Sequence, residues 1–221
     1  FTFSQIHCPF TIEGDRMHLL HNELYFHVAF HLPLAAENFV KGLFQSEHID
    51  IADKKSRASF AVQSVESLPN PLQQYKDNEI VSVGLSPLSP IVAGLQNEFL
   101  SPEDPRFAES VIYNWRSKMT TCYGEPTAKT ALLIVEIGDK KNSPNRGGGG
   151  GKTLQVRKAA KSSPKSRLIT IKAGTPEETK IRGWMNFRLK VTAEKRFVEL
   201  LLNAGAGVYN SMGCGCVEVV A

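Results

Sequence analysis

One stretch near the end of the chain decides the fold: Asn203-Ala-Gly205-Ala-Gly207-Val-Tyr-Asn-Ser-Met-Gly213-Cys-Gly215-Cys-Val-Glu-Val-Val220. Apolar residues before it recur at helical spacing, which predicts a helix that ends near Asn203 with Gly205 as its left-handed cap. The residues after the last glycine alternate as in a strand. The four glycines in eleven residues predict either a helix cap with a bulged strand entry, or a backbone that another chain approaches closely.

The order helix, glycines, strand argues against nucleotide binding at this stretch. Phosphate-binding loops run from a strand through glycines into a helix N-terminus, whereas a helix C-terminus repels phosphate. A second glycine run, Gly147 to Gly151, precedes Lys152-Thr153 and suggests a P-loop. Arg146 stands where that motif needs its first glycine, so a flexible basic loop or an engineered linker is the better interpretation. A P-loop nucleotide hydrolase stays as the least favoured alternative.

The first third of the chain predicts the order strand, strand, helix, strand. The strands are expected at residues 1–10, 22–31 and 59–65, and Pro33 opens the amphipathic helix. A ferredoxin-like domain has the order strand, helix, strand, strand, helix, strand. Residues 1–72 therefore predict an N-terminal ferredoxin-like domain that lacks its first strand and helix. Since the chain begins at Phe1 without a signal peptide or Met, we expect its true start to precede Phe1.

Residues 77–221 predict a second ferredoxin-like domain, which gives an α+β fold of two tandem domains. A strand is expected at 78–85, followed by a helix with Ser101 as N-cap. Further strands are expected at 131–137, 167–172 and from Thr179, before the last helix and strand. This domain would carry a basic insertion at 139–166 and the glycine-rich loop at 204–215. The core face of the first helix would consist of Phe107, Val111, Trp115 and Met119.

Positive charge is concentrated in one quarter of the chain. Residues 140–196 hold 16 Lys and Arg against 3 Asp and Glu, whereas residues 1–139 hold 10 against 17. From Lys180 the sequence alternates, and one face of the predicted strand would carry Lys180, Arg182, Trp184, Asn186, Arg188 and Lys190. Such a face is either a solvated strand surface or, with an indole among cations, a surface for base stacking and phosphate contact.

Three segments resemble a known family. The glycine pattern from Gly205 to Gly215, the phrase Phe1-Thr-Phe-Ser4 and the phrase Val83-Gly-Leu-Ser-Pro87 are similar to those of RAMP-type, CRISPR-associated endoribonucleases. This resemblance implies RRM-like domains and metal-independent cleavage of CRISPR repeat RNA, through 2′-hydroxyl attack that leaves a 2′,3′-cyclic phosphate. The alternative is a non-catalytic RNA-binding RAMP subunit of a CRISPR effector complex. The resemblance also implies that RNA contacts Gly205, Gly207, Tyr209, Asn210, Ser211 and Gly213. The basic strand is predicted to bind RNA from its own pattern of cations around Trp184.

The usual catalytic histidine of that family lies just upstream of the Phe-Thr-Phe-Ser phrase, which would place it before Phe1. Substitutes within the chain are His7, His21 and Tyr25. Histidines on the polar face of the strand at 22–31 allow a general base or a metal site, but solvated structural histidines are the better interpretation. The sequence shows no ligand set that completes a zinc site. We therefore predict neither a metal nor a cofactor.

Cysteine usage and hydropathy suggest the compartment. Cys8, Cys122, Cys214 and Cys216 have neither zinc spacing nor a disulfide framework, and the last two are predicted to be small core residues. No window is apolar enough to span a membrane. We expect a cytoplasmic protein whose partners are CRISPR repeat RNA and possible further CRISPR-associated proteins, a fused domain or a second copy of the chain.

Overall fold

The computed structural model describes residues 1–14, 16–45, 48–52, 56–95, 98–138, 163–172 and 174–220. The elements of the first 68 residues are β1 (Thr2–Phe3), β2 (Phe10–Glu13), β3 (Arg16–Leu19), β4 (Val28–Ala29), α1 (Pro33–Leu43), β5 (Ile49–Ala52) and β6 (Arg57–Phe60). β1 pairs with β4, β2 with β3 and β5 with β6, each pair antiparallel and two-stranded. The helix predicted from Pro33 is confirmed.

The later elements are β7 (Ile80–Pro87), β8 (Ala93–Leu95), β9 (Glu98–Leu100), α2 (Arg106–Tyr123), α3 (Glu125–Thr130), β10 (Ile134–Gly138), β11 (Lys165–Ile171), β12 (Thr179–Met185), β13 (Arg188–Glu194), α4 (Lys195–Ala204) and β14 (Val217–Val220). The main sheet has the order β10-β13-β7-β14, and all its neighbours are antiparallel. With α2 between β7 and β10, and α4 between β13 and β14, this is the ferredoxin-like order. The predicted α+β class is confirmed.

Helix α2 supplies the centre of the core. Phe107, Val111, Trp115 and Met119 are all fully buried, as the sequence predicts. The indole Nε1 of Trp115 donates to the carbonyl of Phe197 at 2.9 Å, which ties α2 to α4. Every polar atom of this large side chain is thus satisfied inside the core. None of the described helices is long and apolar enough to cross a membrane.

Helix α2 begins later than predicted. Its N-cap is Pro105, and the hydroxyl of Ser101 instead accepts a hydrogen bond from the Glu103 amide at 3.1 Å. Ser101 therefore closes a local turn, a common alternative for serine near a helix start. The expected N-cap role of Ser101 is wrong.

The long strand predicted from Thr179 is two strands in two sheets. β12 pairs with β11 in a separate hairpin, whereas β13 lies inside the main sheet. The chain breaks at Asn186, which has a φ of +62°. A residue in this conformation ends an extended run. The predicted alternation nevertheless holds on both sides of the break, since Ile181 in β12 and Leu189 and Val191 in β13 are all fully buried.

Candidate nucleic-acid interface

The three segments that are distant in sequence lie against one another. The hydroxyl of Thr2 donates to the carbonyl of Cys214 at 3.1 Å, which joins β1 to the glycine-rich loop, residues 204–215. Strand β14, which follows the loop, pairs with β7, with Val217 opposite Pro87. Two backbone hydrogen bonds continue this connection beyond β7, from the Gln5 amide to Leu88 and from the Leu88 amide to Cys216. The loop is therefore built into the junction between the two halves of the chain.

The chain itself occupies the space that the loop glycines provide. Gly207 has a φ of +73°, and a Cβ there would collide with the backbone carbonyl of Val92. At Gly213, with a φ of +84°, a Cβ would lie 2.8 Å from the ring of Phe3. Gly205 and Gly207 are also buried, so the groups that approach these glycines closely belong to the chain itself. This favours the alternative in which the glycines form a helix cap and a strand entry. A direct RNA contact at these two glycines does not fit their burial.

Two side chains hold the carbonyl groups of the loop. The amide Nδ2 of Asn210 donates to the carbonyls of Ala206 and Cys214, at 3.2 and 3.0 Å. The ammonium of Lys118, on α2, donates to the carbonyls of Gly205 and Gly207, at 2.5 and 3.0 Å. Burial lowers the pKa of Lys118 to about 8. Sequence reasoning missed Lys118, because nothing in a helical pattern marks a contact with a loop 87 residues away.

The outward part of the loop is its tip, residues 209–213. It contains a 3-10 turn at Asn210–Met212, and Ser211 and Met212 are exposed. Tyr209 has a φ of +59° and is half-buried. Both Nδ2 hydrogens of Asn210 are used within the loop, so its role there is structural. Of the predicted loop contacts, Tyr209, Ser211 and Gly213 stay accessible, and the exposed Met212 was missed.

The hairpin of β11 and β12 packs directly on the loop. A small apolar cluster joins Ile181 of β12 to Cys214 of the loop and to Val92, with Ile169 and Tyr209 packed against it. Cys214 and Cys216 are buried, as predicted for small core residues, and burial raises the pKa of their thiols to about 11 and 12. The loop and the hairpin are thus joined by a buried apolar contact.

The predicted basic face is divided by the break at Asn186. Trp184 is only 7% exposed and belongs to the main core, so the expected stacking surface is wrong at this residue. Lys190 lies in the main sheet and pairs with Glu136 at 2.8 Å, and Arg188 is half-buried in the same strand. The structure therefore does not bring the six predicted residues onto one face.

Exposed cations nevertheless lie on the hairpin. Lys180 pairs with Glu178 at 3.4 Å, whereas Arg182 forms no ion pair with any residue that the structure describes. Arg167, opposite Gly183 on the neighbouring strand, is exposed as well. The glycine run at 147–151 and most of the predicted basic insertion lie outside the described residues. Strand β11 begins at Lys165, one residue before the predicted end of that insertion.

Two of the three candidate catalytic residues are in contact. His7 and Tyr25 stack with ring centroids 4.7 Å apart, and His27 lies 6.0 Å from His7. His21 is exposed, and its carbonyl accepts a weak hydrogen bond from the Cys8 thiol at 3.9 Å. The predicted strand at 22–31 is reduced here to β4 and a single bridge between His7 and Tyr25. Within the described ranges, no three His, Cys, Asp or Glu side chains converge as metal ligands would.

The second half of the chain has the ferredoxin-like order of elements, with a glycine-rich loop before its last strand, β14. This arrangement is that of the RAMP class. The family model for the C-terminal part of CRISPR associated protein Cas6 matches residues 70–219 of this chain. The match covers more than half of the sequence, so the chain belongs to the Cas6 family of CRISPR-associated proteins. The comparison with curated proteins gives no match.

Solved structures show that the same fold extends over the whole chain. The product of a Cas6-related gene from Pyrococcus furiosus has a TM-score of 0.69 at 16% identity, and covers 99% of this chain and 77% of its own. A CRISPR associated protein Cas6 has a TM-score of 0.65 at 20% identity, covering 100% and 78%. An RAMP protein that binds different RNA substrates has a TM-score of 0.65 at 14% identity, covering 100% and 79%. The tandem ferredoxin-like organisation is confirmed.

Proposed function

We propose that this protein is an endoribonuclease that processes CRISPR RNA by cleaving the repeat sequence. The observation that carries the proposal is the family match over residues 70–219, a range that includes the glycine-rich loop and the hairpin packed on it. A concentration of exposed cations beside the loop suits a polyanionic substrate. Arg182 and Lys180 on β12 and the loop tip form the proposed RNA surface.

The proposed reaction needs no metal. A base takes the proton of the 2′-hydroxyl, the oxygen forms a bond to the adjacent phosphorus, and the bond from phosphorus to the 5′-oxygen breaks. An acid protonates the leaving oxygen, which gives a 2′,3′-cyclic phosphate and a 5′-hydroxyl. Within the described residues His7 and Tyr25 form the aromatic pair that could exchange protons, with His27 close by. The resemblance instead assigns this role to a histidine upstream of the Phe-Thr-Phe-Ser phrase.

A cleavage assay in EDTA tests this function on the full-length natural protein. Labelled repeat RNA should be cut once per repeat, and the 3′ end of the upstream product should resist phosphatase until acid opens the cyclic phosphate. Cleavage that appears only with a divalent cation would contradict the mechanism. His7→Ala and Tyr25→Phe then decide whether this pair takes part, because variants with unchanged rates assign the chemistry to other residues.

A non-catalytic RNA-binding subunit is the alternative, and one observation favours it. The Nε2 atom of His7 is buried and has no hydrogen-bond partner in the part of the chain that the structure describes, so a 2′-hydroxyl does not reach it in this conformation. Such a protein would bind repeat RNA through the same loop and hairpin and leave it intact. Tight binding without cleavage by the full-length protein would therefore assign it to this second class.

A further inference from the structure

Lys118 is a half-buried lysine whose ammonium is paired with carbonyl groups instead of a carboxylate. Its Nζ contacts the Gly205 carbonyl at 2.5 Å and the Gly207 carbonyl at 3.0 Å. Burial is the one cause that shifts its pKa, and the shift is downward. A cation buried without an acidic partner is unfavourable unless nearby dipoles stabilise it. Its position therefore calls for a physical explanation.

The end of α4 supplies the missing negative charge. Gly205 is the C-cap of α4, and its amide donates to the carbonyl of Leu201 at 2.9 Å. The last carbonyls of a helix carry a partial negative charge that a lysine ammonium can neutralise. Lys118 reaches this end from the neighbouring helix. The site that would otherwise repel an RNA phosphate is thus partly neutralised.

The two bonds also fix the path of the loop. The Ala206 amide donates to the Gly215 carbonyl at 2.8 Å, and the Val208 amide to the Val92 carbonyl at 3.0 Å. These backbone bonds hold the amides of Ala206 and Val208, and Lys118 holds the carbonyls of the same two peptide groups. Without the ammonium, both part-buried carbonyls would lose the donor that they share. An unsatisfied buried carbonyl is costly, so the segment would rearrange.

We propose that Lys118 is the positioning residue of the glycine-rich loop, and that it holds the loop tip at residues 209–213 in the conformation that binds RNA. This inference rests on the proposed function. Lys118 acts through the loop backbone, since its described contacts are with Gly205 and Gly207. Its loss should change affinity without changing the number of phosphates that the protein neutralises.

Lys118→Met and Lys118→Arg test this role on the whole chain, with a panel of labelled CRISPR repeat RNAs that are unstructured or form stem-loops. Lys118→Met should weaken binding about tenfold, as for the loss of one hydrogen bond to a charged group. Lys118→Arg keeps the charge and the donors and should restore most of the affinity. Lys129→Met is the matched control, because Lys129 is exposed and pairs with Glu125 at 2.7 Å on α3. It should bind like the wild type.

The salt dependence separates positioning from direct phosphate contact. A lysine that neutralises a phosphate contributes about 0.7 to the slope of log K against log salt for single-stranded RNA. Lys118→Met should leave this slope unchanged while affinity falls. A slope that flattens by about 0.7 would show direct contact with RNA and overturn the positioning role.

The pH dependence has opposite signs for folding and for binding. The pKa of Lys118 is lowered to about 8 from 10.5, so above pH 8 the unfolded chain binds more protons, and this group makes stability rise with pH. RNA affinity should instead fall, because the neutral amine donates weaker bonds to the two carbonyls. The other ionisable groups of the loop and the adjoining helices do not contribute to this pKa: Tyr209, Cys214, Cys216, Arg116, Cys122, Tyr123, Arg196 and Glu199.

Between pH 7 and pH 9, the wild type should lose about threefold in affinity relative to Lys118→Arg, because neutral hydrogen bonds are roughly half as strong as charged ones. The comparison of the wild type with Lys118→Arg also tests the positioning role if Lys118→Met does not fold. Equal pH profiles of RNA affinity for the wild type and Lys118→Arg would overturn the positioning role of Lys118, and so would wild-type affinity of a folded Lys118→Met. Neither result would contradict the proposed function. If the wild type binds none of the RNAs, the proposed function fails and the inference with it.

Discussion

The two halves of this molecule differ sharply in how much apolar surface they bury. Among the described residues, 29 hydrophobic side chains are buried from Leu72 onward, whereas none is buried in residues 1–68. That first region instead holds 14 of the 20 exposed large hydrophobic side chains, and an apolar cleft of about 340 Å³ lies between β1, β4 and α1. Secondary structure is present in both halves. The difference teaches that only the second half has a core of its own.

The first half is held mainly through its contact with the second. Its two buried residues, Thr2 and Ser4, lie in or beside β1, and Thr2 bonds to the glycine-rich loop. Short two-stranded sheets are only marginally stable unless an apolar face packs against another part of the protein. The loop therefore has a structural role beside the proposed RNA contact, because it joins the well-packed half to the open one.

The largest test of this contrast compares one substitution in the two halves. Leu201 in α4 is fully buried, whereas Leu34 in α1 is 67% exposed. Leu201→Ala should lower the free energy of unfolding by about 2–5 kcal/mol. Leu34→Ala should change it by less than about 0.5 kcal/mol, as for other surface positions. Urea unfolding followed by circular dichroism measures both, and equal losses would show that α1 is covered in solution.

A second comparison uses two glycines. If RNA passes close to the glycine-rich loop, as the resemblance implies, Gly207→Val should lower RNA affinity far more than stability, but the contact between Gly207 and the Val92 carbonyl reverses that expectation. We expect a loss of at least about 1–3 kcal/mol from the positive φ and the overpacking. Gly42→Ala in α1 meets open space and should stabilise the protein by about 0.5–1 kcal/mol. A stable Gly207→Val that binds RNA weakly would restore the original prediction.

A third test asks which half carries the RNA surface. Arg182→Ala on β12 should reduce the salt slope of RNA binding by about 0.7 and leave the melting temperature nearly unchanged. Arg57→Ala on β6 is the control, since this arginine is also exposed but pairs with Asp50. Its salt slope should match the wild type. If both variants flatten the slope equally, RNA also contacts the first half.

The last test uses thiol reactivity, which changes neither stability nor RNA affinity. Cys122 is exposed, whereas Cys214 and Cys216 are buried and the pKa values of their thiols are raised to about 11 and 12. Alkylation at pH 8 should be about a hundredfold slower at the two buried sites, because the thiolate is the reactive form. Mass spectrometry over time measures the order of modification. Rapid labelling of Cys214 would mean that the glycine-rich loop opens in solution, and that the second half is less tightly packed than its burial indicates.

Local patterns in the sequence predicted the elements that depend on short-range periodicity. The core face of α2 from Phe107 to Met119 and the helix that ends before Gly205 follow from the 3.6-residue repeat. Gly205 is the C-cap, as predicted, and its φ of +84° favours glycine, but its ψ of 157° lies outside the left-handed helical region that the prediction named. The resemblance in three short segments also identified the family.

Only the tertiary structure decided which of these residues face water and which hold the loop. Trp184 was assigned to the polar face because it alternates with Lys180 and Arg182, but its backbone bonds to Ile91 and its side chain packs in the main core. Lys118 could not be found from the sequence, because its two carbonyl partners become its neighbours only when α2 packs beside α4. Periodicity records the local geometry of one element, whereas burial and long-range hydrogen bonds depend on what packs against it.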